Sequence, residues 1–217
     1  MSSLRQFNFG IFCLNGVLIE RSELYELTFA TILYRYGIEY GLSQRYYRAT
    51  AGTLVREQFR TLLNKKLLQE NPRLPEELEN EYWESVTSVP NKLVRGAEEL
   101  LTDLRQNGII LFATDMENEP EALLMELGVD HYFARILGPL SGDERFEHVH
   151  DFAAEVNLTV PQFCSSSFFV GATVSDIEFA EKMRIDSIGI STLVDSNSLA
   201  AAGAYDTLRR LSDLLEY

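Results

Sequence analysis

Short unbroken apolar runs alternate along the chain with longer stretches in which apolar residues return every three or four positions. The runs have the length of buried strands and the spaced stretches have the period of helices. Phe9-Gly10-Ile11-Phe12-Cys13-Leu14 predicts a buried strand, closed by the turn pair Asn15-Gly16. A long stretch without any strand signal follows. Ser22 stands where a cap would begin a helix with Leu24, Leu27, Thr31 and Tyr34 on one face, ending at Gly37. A second helix carries Val55, Phe59, Leu62 and Leu63, and a third carries Leu78, Tyr82 and Val86, with Pro72 and Pro75 breaking the chain between them. Residues 20–88 therefore read as an inserted helical domain.

After Pro90 the rhythm changes. Strands at Ile109–Ala113, Arg135–Leu137, Ser167–Val170 and Ser187–Ile190 alternate with helices. Those helices carry Ala97, Leu100, Leu101 and Leu104; then Leu123, Leu124 and Leu127; then Phe152–Val156; then Ser175–Met183. A last helix bears Leu208, Leu211 and Leu215. Repeated strand–helix units predict an α/β core with a parallel sheet covered on both faces, built from residues 1–19 and 89–217. In such sheets ligands bind beyond the C-terminal ends of the strands, which singles out Cys13–Gly16, Thr114–Asp115 and Gly171–Asp176.

Composition narrows the function classes. The chain of 217 residues has 33 Asp+Glu against 19 Lys+Arg, a net charge of −14. Nucleic acid and anionic membranes would be repelled by that average surface. What remains is a small ligand, another protein or a second copy of the chain. Two cysteines, Cys13 and Cys164, form no CxxC and no disulfide framework, so a reducing compartment is expected. The opening residues MSSLRQFNFG lack the layout of a signal peptide. Apolar runs such as Gly108–Ala113 fall well short of the roughly 20 residues of a membrane span. The expectation is a soluble cytoplasmic protein.

Four blocks, in order and spread over the whole chain, resemble the motifs of the haloacid dehalogenase superfamily, in its phosphoglycolate-phosphatase-like branch. FGIFCLNGVLIE resembles the first motif, and NGIILFATDMENEPEALLMELGVDHYFARILG the second with its following helix. SFFVGATVSDIEFAEKMRIDSIGI is similar to the fourth, and SNSLAAAGAYDTLRRLSDLLEY to the closing segment. The resemblance implies a Rossmann-like core, a helical cap over 20–88, Mg²⁺ and hydrolysis of a small phosphate ester.

Carried over position by position, it also implies losses. Cys13 stands where the family has its Asp nucleophile, and Asn15 where it has the acid–base Asp. Thr114 keeps the phosphoryl-binding hydroxyl. The motif-three Lys position falls at Glu144, with Arg145 the neighbouring cation. The lysines, at positions 65, 66, 92 and 182, all lie elsewhere. Ala172 replaces one metal-binding Asp, and Asp176 remains. Gly16, Thr114, Asp115 and Arg145 are what is left of a phosphate pocket, and Ala172 and Asp176 of a metal site.

An amide at Asn15 neither gives nor takes a proton near neutrality, which forfeits general acid–base help of about 10²–10⁴-fold. A thiolate at Cys13 would be a poor partner for hard Mg²⁺. Without the Lys and a firm metal, charge on a transferring phosphoryl group goes uncompensated. These losses point to a catalytically inactive or strongly impaired homologue that works by binding, with no catalytic residue and no cofactor expected. The alternative is an active hydrolase, either Mg²⁺-dependent through Asp176 or based on Cys13.

Plainer structural roles stand beside each of these residues. Cys13 at a strand end reads first as a small buried apolar residue rather than a nucleophile. Asn15-Gly16 is a turn whose amides could hold an anion. Thr114 and Asp115 read as caps of the next helix, and Asp176 as a cap of Ile177–Met183. His148 and His150 point to different faces of a helix and read as solvated surface. The insertion's aromatics (Tyr25, Phe29, Tyr34, Tyr36, Tyr40, Tyr46 and Tyr47) read as its core, with a partner surface as the alternative.

Overall fold

The computed structural model describes residues 4–20, 22–51, 53–115, 120–138 and 144–216. Strand β1 (Phe9–Cys13) comes first and is buried at every position. Helices α1 (Ser22–Tyr34), α2 (Tyr40–Ala49), α3 (Val55–Leu62), α4 (Lys65–Glu70) and α5 (Leu74–Thr87) follow. The chain then runs α6 (Ala97–Gln106), β2 (Ile110–Thr114), α7 (Pro120–Glu126), β3 (Phe133–Leu137), α8 (Glu144–Glu155) and α9 (Val160–Ser165). It finishes with β4 (Ser167–Gly171), α10 (Val174–Met183), β5 (Asp186–Ile190), α11 (Ser196–Ala201), β6 (Asp206–Leu208) and a 3₁₀ segment at Leu211–Glu216. Two compact units result: Met1–Glu20 with Asn91–Tyr217, and Arg21–Pro90.

The first unit is an α/β layer structure on a six-stranded sheet in the order β3-β2-β1-β4-β5-β6. Every pairing is parallel. A strand covered on both faces needs no polar alternation, which is why FGIFC and ILFAT are continuous apolar runs. Phe112, Phe152 and Phe163 pack together beneath the sheet, with Phe112 and Phe152 centroids 4.6 Å apart. Strand order reverses beside β1, between its neighbours β2 and β4, and that reversal opens a crevice at the strands' C-terminal ends.

The second unit packs five helices around aromatic side chains. Phe29 stacks on Phe59 with centroids 4.8 Å apart, and the Tyr47 and Tyr82 hydroxyls share a buried hydrogen bond of 3.2 Å. Glu26 is buried and held by Arg48 through Nε (2.5 Å) and Nη2 (2.7 Å), and by Gln44 Nε2 at 2.7 Å.

Several expectations need correction. The buried face of α1 is Tyr25, Phe29, Ile32 and Leu33, whereas Leu27 and Tyr34 are exposed. Apolar residues surround this helix, so its period alone selects no face. Helices α2, α4, α9 and α11 are not among the expected elements; α4, α9 and α11 have 6 residues each, too few to display a helical period. Pro75 sits in the first turn of α5, where its missing N–H costs nothing, and so does not break the helix. Leu208 does not open a final helix but ends the edge strand β6. Of the insertion's aromatics, Tyr25, Phe29 and Tyr47 are core, Tyr36, Tyr40 and Tyr46 are half-buried, and Tyr34 is exposed.

Candidate functional site

The crevice is assembled from the ends of β1, β2 and β4. Cys13 is the register partner of Thr114, so both side chains leave the same face of the sheet. Both residues are buried. After Cys13 the chain turns sharply: Leu14 O accepts from the N–H groups of Val17, Leu18 and Ile19. The turn carries Gly16 at φ +74°, a left-handed backbone that favours glycine. A side chain there would also meet Ala172 Cβ and Thr192 Oγ1, each 3.0 Å away. Thr192 Oγ1 closes the turn by donating to Gly16 O at 2.6 Å.

Asp115, the residue after β2, is 8% exposed and directs its carboxylate at this turn. Its Oδ2 accepts from the backbone N–H of Leu14 (3.1 Å) and of Asn15 (3.2 Å). Asn15 Nδ2 reaches Asp115 Oδ1 at 3.2 Å. The amides considered as an anion site thus already hold an anion, supplied by the chain. Helix capping by Thr114 and Asp115 involves 116–119, which lie outside the described residues.

Thr114 Oγ1 lies 2.6 Å from His148 Nδ1, the tautomer deciding which atom donates. His148 is 1% exposed, which overturns its reading as solvated surface, although His150 is exposed on the opposite face of α8. The i, i+2 spacing separates the two faces but does not say which one meets the sheet. The motif-three segment begins at 142–143, outside the described residues; Glu144 and Arg145 open α8, with their side chains likewise undescribed.

Asp176 is 3% exposed and completes a capping box on α10. Its Oδ2 accepts from the N–H of Ala172 and of Thr173, each at 3.0 Å, while Thr173 Oγ1 accepts from Asp176 N at 3.1 Å. The carboxylate thus serves the first turn of the helix, which begins at Val174, one residue before the expected Ser175; Thr173 is its N-cap and Asp176 its third residue. Gly171 makes room for it, since a Cβ there would stand 2.5 Å from Asp176 Cβ.

A parallel α/β core with its crevice beside the central strand defines a class of ligand-binding and hydrolytic proteins. The chain belongs to the haloacid dehalogenase-like hydrolases, whose family pattern matches residues 11–190. Solved structures of the same fold include a haloacid dehalogenase-like hydrolase from Streptococcus pneumoniae, 17% identical, TM-score 0.78, with 98% of each chain covered. A predicted phosphoglycolate phosphatase from Haemophilus somnus is 18% identical, TM-score 0.71, over 97% of each chain. A β-phosphoglucomutase from Clostridium difficile is 16% identical, TM-score 0.72, over 96% of this chain and 93% of that one. No curated protein matches the sequence.

The family implies Mg²⁺, and the donors among the described residues do not fit it. Ala172 offers a methyl group, Cys13 a thiol, and Asp176 Oδ2 already accepts two backbone N–H bonds. Among the described residues no three His, Cys, Asp or Glu side chains gather as a metal site. The second cysteine, Cys164 on α9, is buried, and burial pushes its thiol pKa up.

Proposed function

We propose that this member of the haloacid dehalogenase-like hydrolases does not turn over phosphate esters and acts by binding a small ligand or a protein. One observation carries the reading: among the described residues, both carboxylates found at the crevice serve the backbone. Asp115 holds the turn after β1, and Asp176 holds the start of α10. A carboxylate oxygen that already accepts two N–H bonds has fewer lone pairs left to offer a metal. Asn15, at the acid–base position, has an amide that cannot shuttle a proton.

The helical unit, 21–90, stands where the family's cap is expected and is proposed to serve as one. No helix among the described residues is long and apolar enough to cross a membrane. The acidic charge of −14 supports partners other than nucleic acid or anionic lipid. Neither cysteine is in a disulfide, which supports a reducing cytoplasmic setting.

The test is an assay of the purified protein with Mg²⁺ against a panel of phosphate esters, beside Asp176→Asn and Cys13→Ser. All three are expected to match the blank. Turnover by the wild type that disappears in Asp176→Asn would restore the magnesium-dependent hydrolase, and turnover lost in Cys13→Ser would establish a thiol-based one. Thiol labelling is expected to find Cys13 as slow as Cys164.

A further inference from the structure

The turn after β1 is built around an anion. Two consecutive backbone N–H groups, of Leu14 and Asn15, converge on a single oxygen, Asp115 Oδ2, and the Asn15 side chain adds its own N–H to Oδ1. Consecutive amides aimed at one point form a concave anion-binding nest. The turn is pinned independently of that carboxylate. Leu14 O accepts three backbone N–H groups and Gly16 O accepts from Thr192, so the amides keep their direction when their partner changes. The nest also lies where a parallel sheet of this order receives its ligands.

We propose that Asp115 is a built-in plug: its carboxylate fills an oxyanion cradle made by Leu14 and Asn15 and thereby excludes phosphate and other tetrahedral oxyanions from the crevice. An incoming phosphate must displace an acceptor that is tethered beside the site and buried with it. If the carboxylate stays nearby, the phosphate also meets a like charge within a few ångströms. A tethered group competes at a high effective concentration, so removing it raises affinity for the free anion by about tenfold or more. The proposal rests on the reading of this crevice as a binding site without turnover, and it adds that the natural ligand is not anchored there by a phosphate group.

The experiment titrates inorganic phosphate into wild type and Asp115→Ala, with chloride at matched ionic strength as control, following the backbone amide resonances of Leu14 and Asn15. The wild-type resonances are expected to stay in place up to the concentration that saturates the variant. In Asp115→Ala they are expected to shift saturably with phosphate alone. A saturable wild-type response at these two amides overturns the proposal, and so does a folded variant that responds no better to phosphate than to chloride. If Asp115→Ala does not fold in plain buffer, Asp115→Asn takes its place and must meet the same criteria. If neither folds, phosphate in the refolding buffer is expected to rescue Asp115→Ala, and failure of that rescue overturns the plug. Phosphate binding by the wild type without ester hydrolysis removes the plug and leaves the non-catalytic reading intact, whereas hydrolysis by the wild type removes that reading.

Discussion

Buried carboxylates are balanced differently in the two units of this protein. In the helical unit Glu26 meets a full positive charge, the Arg48 guanidinium, in a two-pronged pair that is half open to water on the arginine side. In the α/β unit, Asp115 and Asp176 accept from backbone N–H groups, which are dipoles fixed in place by the fold. A side-chain cation can move away at modest cost, whereas an amide cannot turn without rebuilding the chain. Glu26 therefore ties two helices together, while Asp115 and Asp176 decide the path of the backbone at a crevice. The difference teaches that an acidic residue at a family site position can be structural because of its partners, whatever its ancestry.

The sharpest break in this comparison is Asp176→Ala. Loss of the carboxylate that accepts from the N–H groups of Ala172 and Thr173, the latter its half of the capping box, is expected to cost about 2–3 kcal/mol in urea unfolding. A carboxylate kept for metal or chemistry would instead leave stability unchanged or raise it when removed.

Next in size is a difference in alkali. Burial pushes the Tyr47 phenol up to about 12 from 10.0, against a smaller lowering by the Tyr82 hydrogen bond. The unfolded phenol ionises first, so the stabilising contribution is complete below pH 10 and is lost as pH rises toward 12. Unfolding of the wild type between those values should show a loss of up to about 2–3 kcal/mol that Tyr47→Phe lacks. The Thr114–His148 contact of the crevice contains no phenol, and Thr114→Val should leave this alkaline slope as it is.

The smallest effect concerns the exposed partner. Arg48→Met is expected to cost about 1 kcal/mol, because the guanidinium side is solvated, and added salt should narrow the gap. Salt should leave the cost of Asp176→Ala in place. Equal salt sensitivity of the two would erase the distinction between a paired cation and fixed dipoles.

Much of the fold was legible because it is local. Phe9–Leu14 and Ile109–Ala113 read as strands from continuous apolar runs and form strands at Phe9–Cys13 and Ile110–Thr114, while α1 ends at Tyr34, before the expected Gly37. The same local reading placed Leu27 and Tyr34 inward on α1, because a helix apolar on most sides leaves its orientation to its neighbours. Helix α2 stayed hidden because its buried residues are Ser43 and Tyr47, which make no apolar stripe; it is held by packing on α1, so its stability is tertiary. Around the site, the exchanged donors at Cys13, Asn15 and Ala172 were visible as letters. Burial of His148 against Thr114 was not, since it needs the approach of α8 to the end of β2.

The sequence by itself therefore determined the alternation of β1 to β5 with helices, the acidic charge and the identity of the groups offered to the crevice. These follow from spacing and side-chain chemistry. Only the tertiary structure decided what those groups do. Asp115 lies 100 residues along the chain from Asn15, and parallel pairing of β1 with β2 brings its carboxylate to the turn after β1. Such a bond depends on chain paths that meet in space, and no local pattern encodes where they meet.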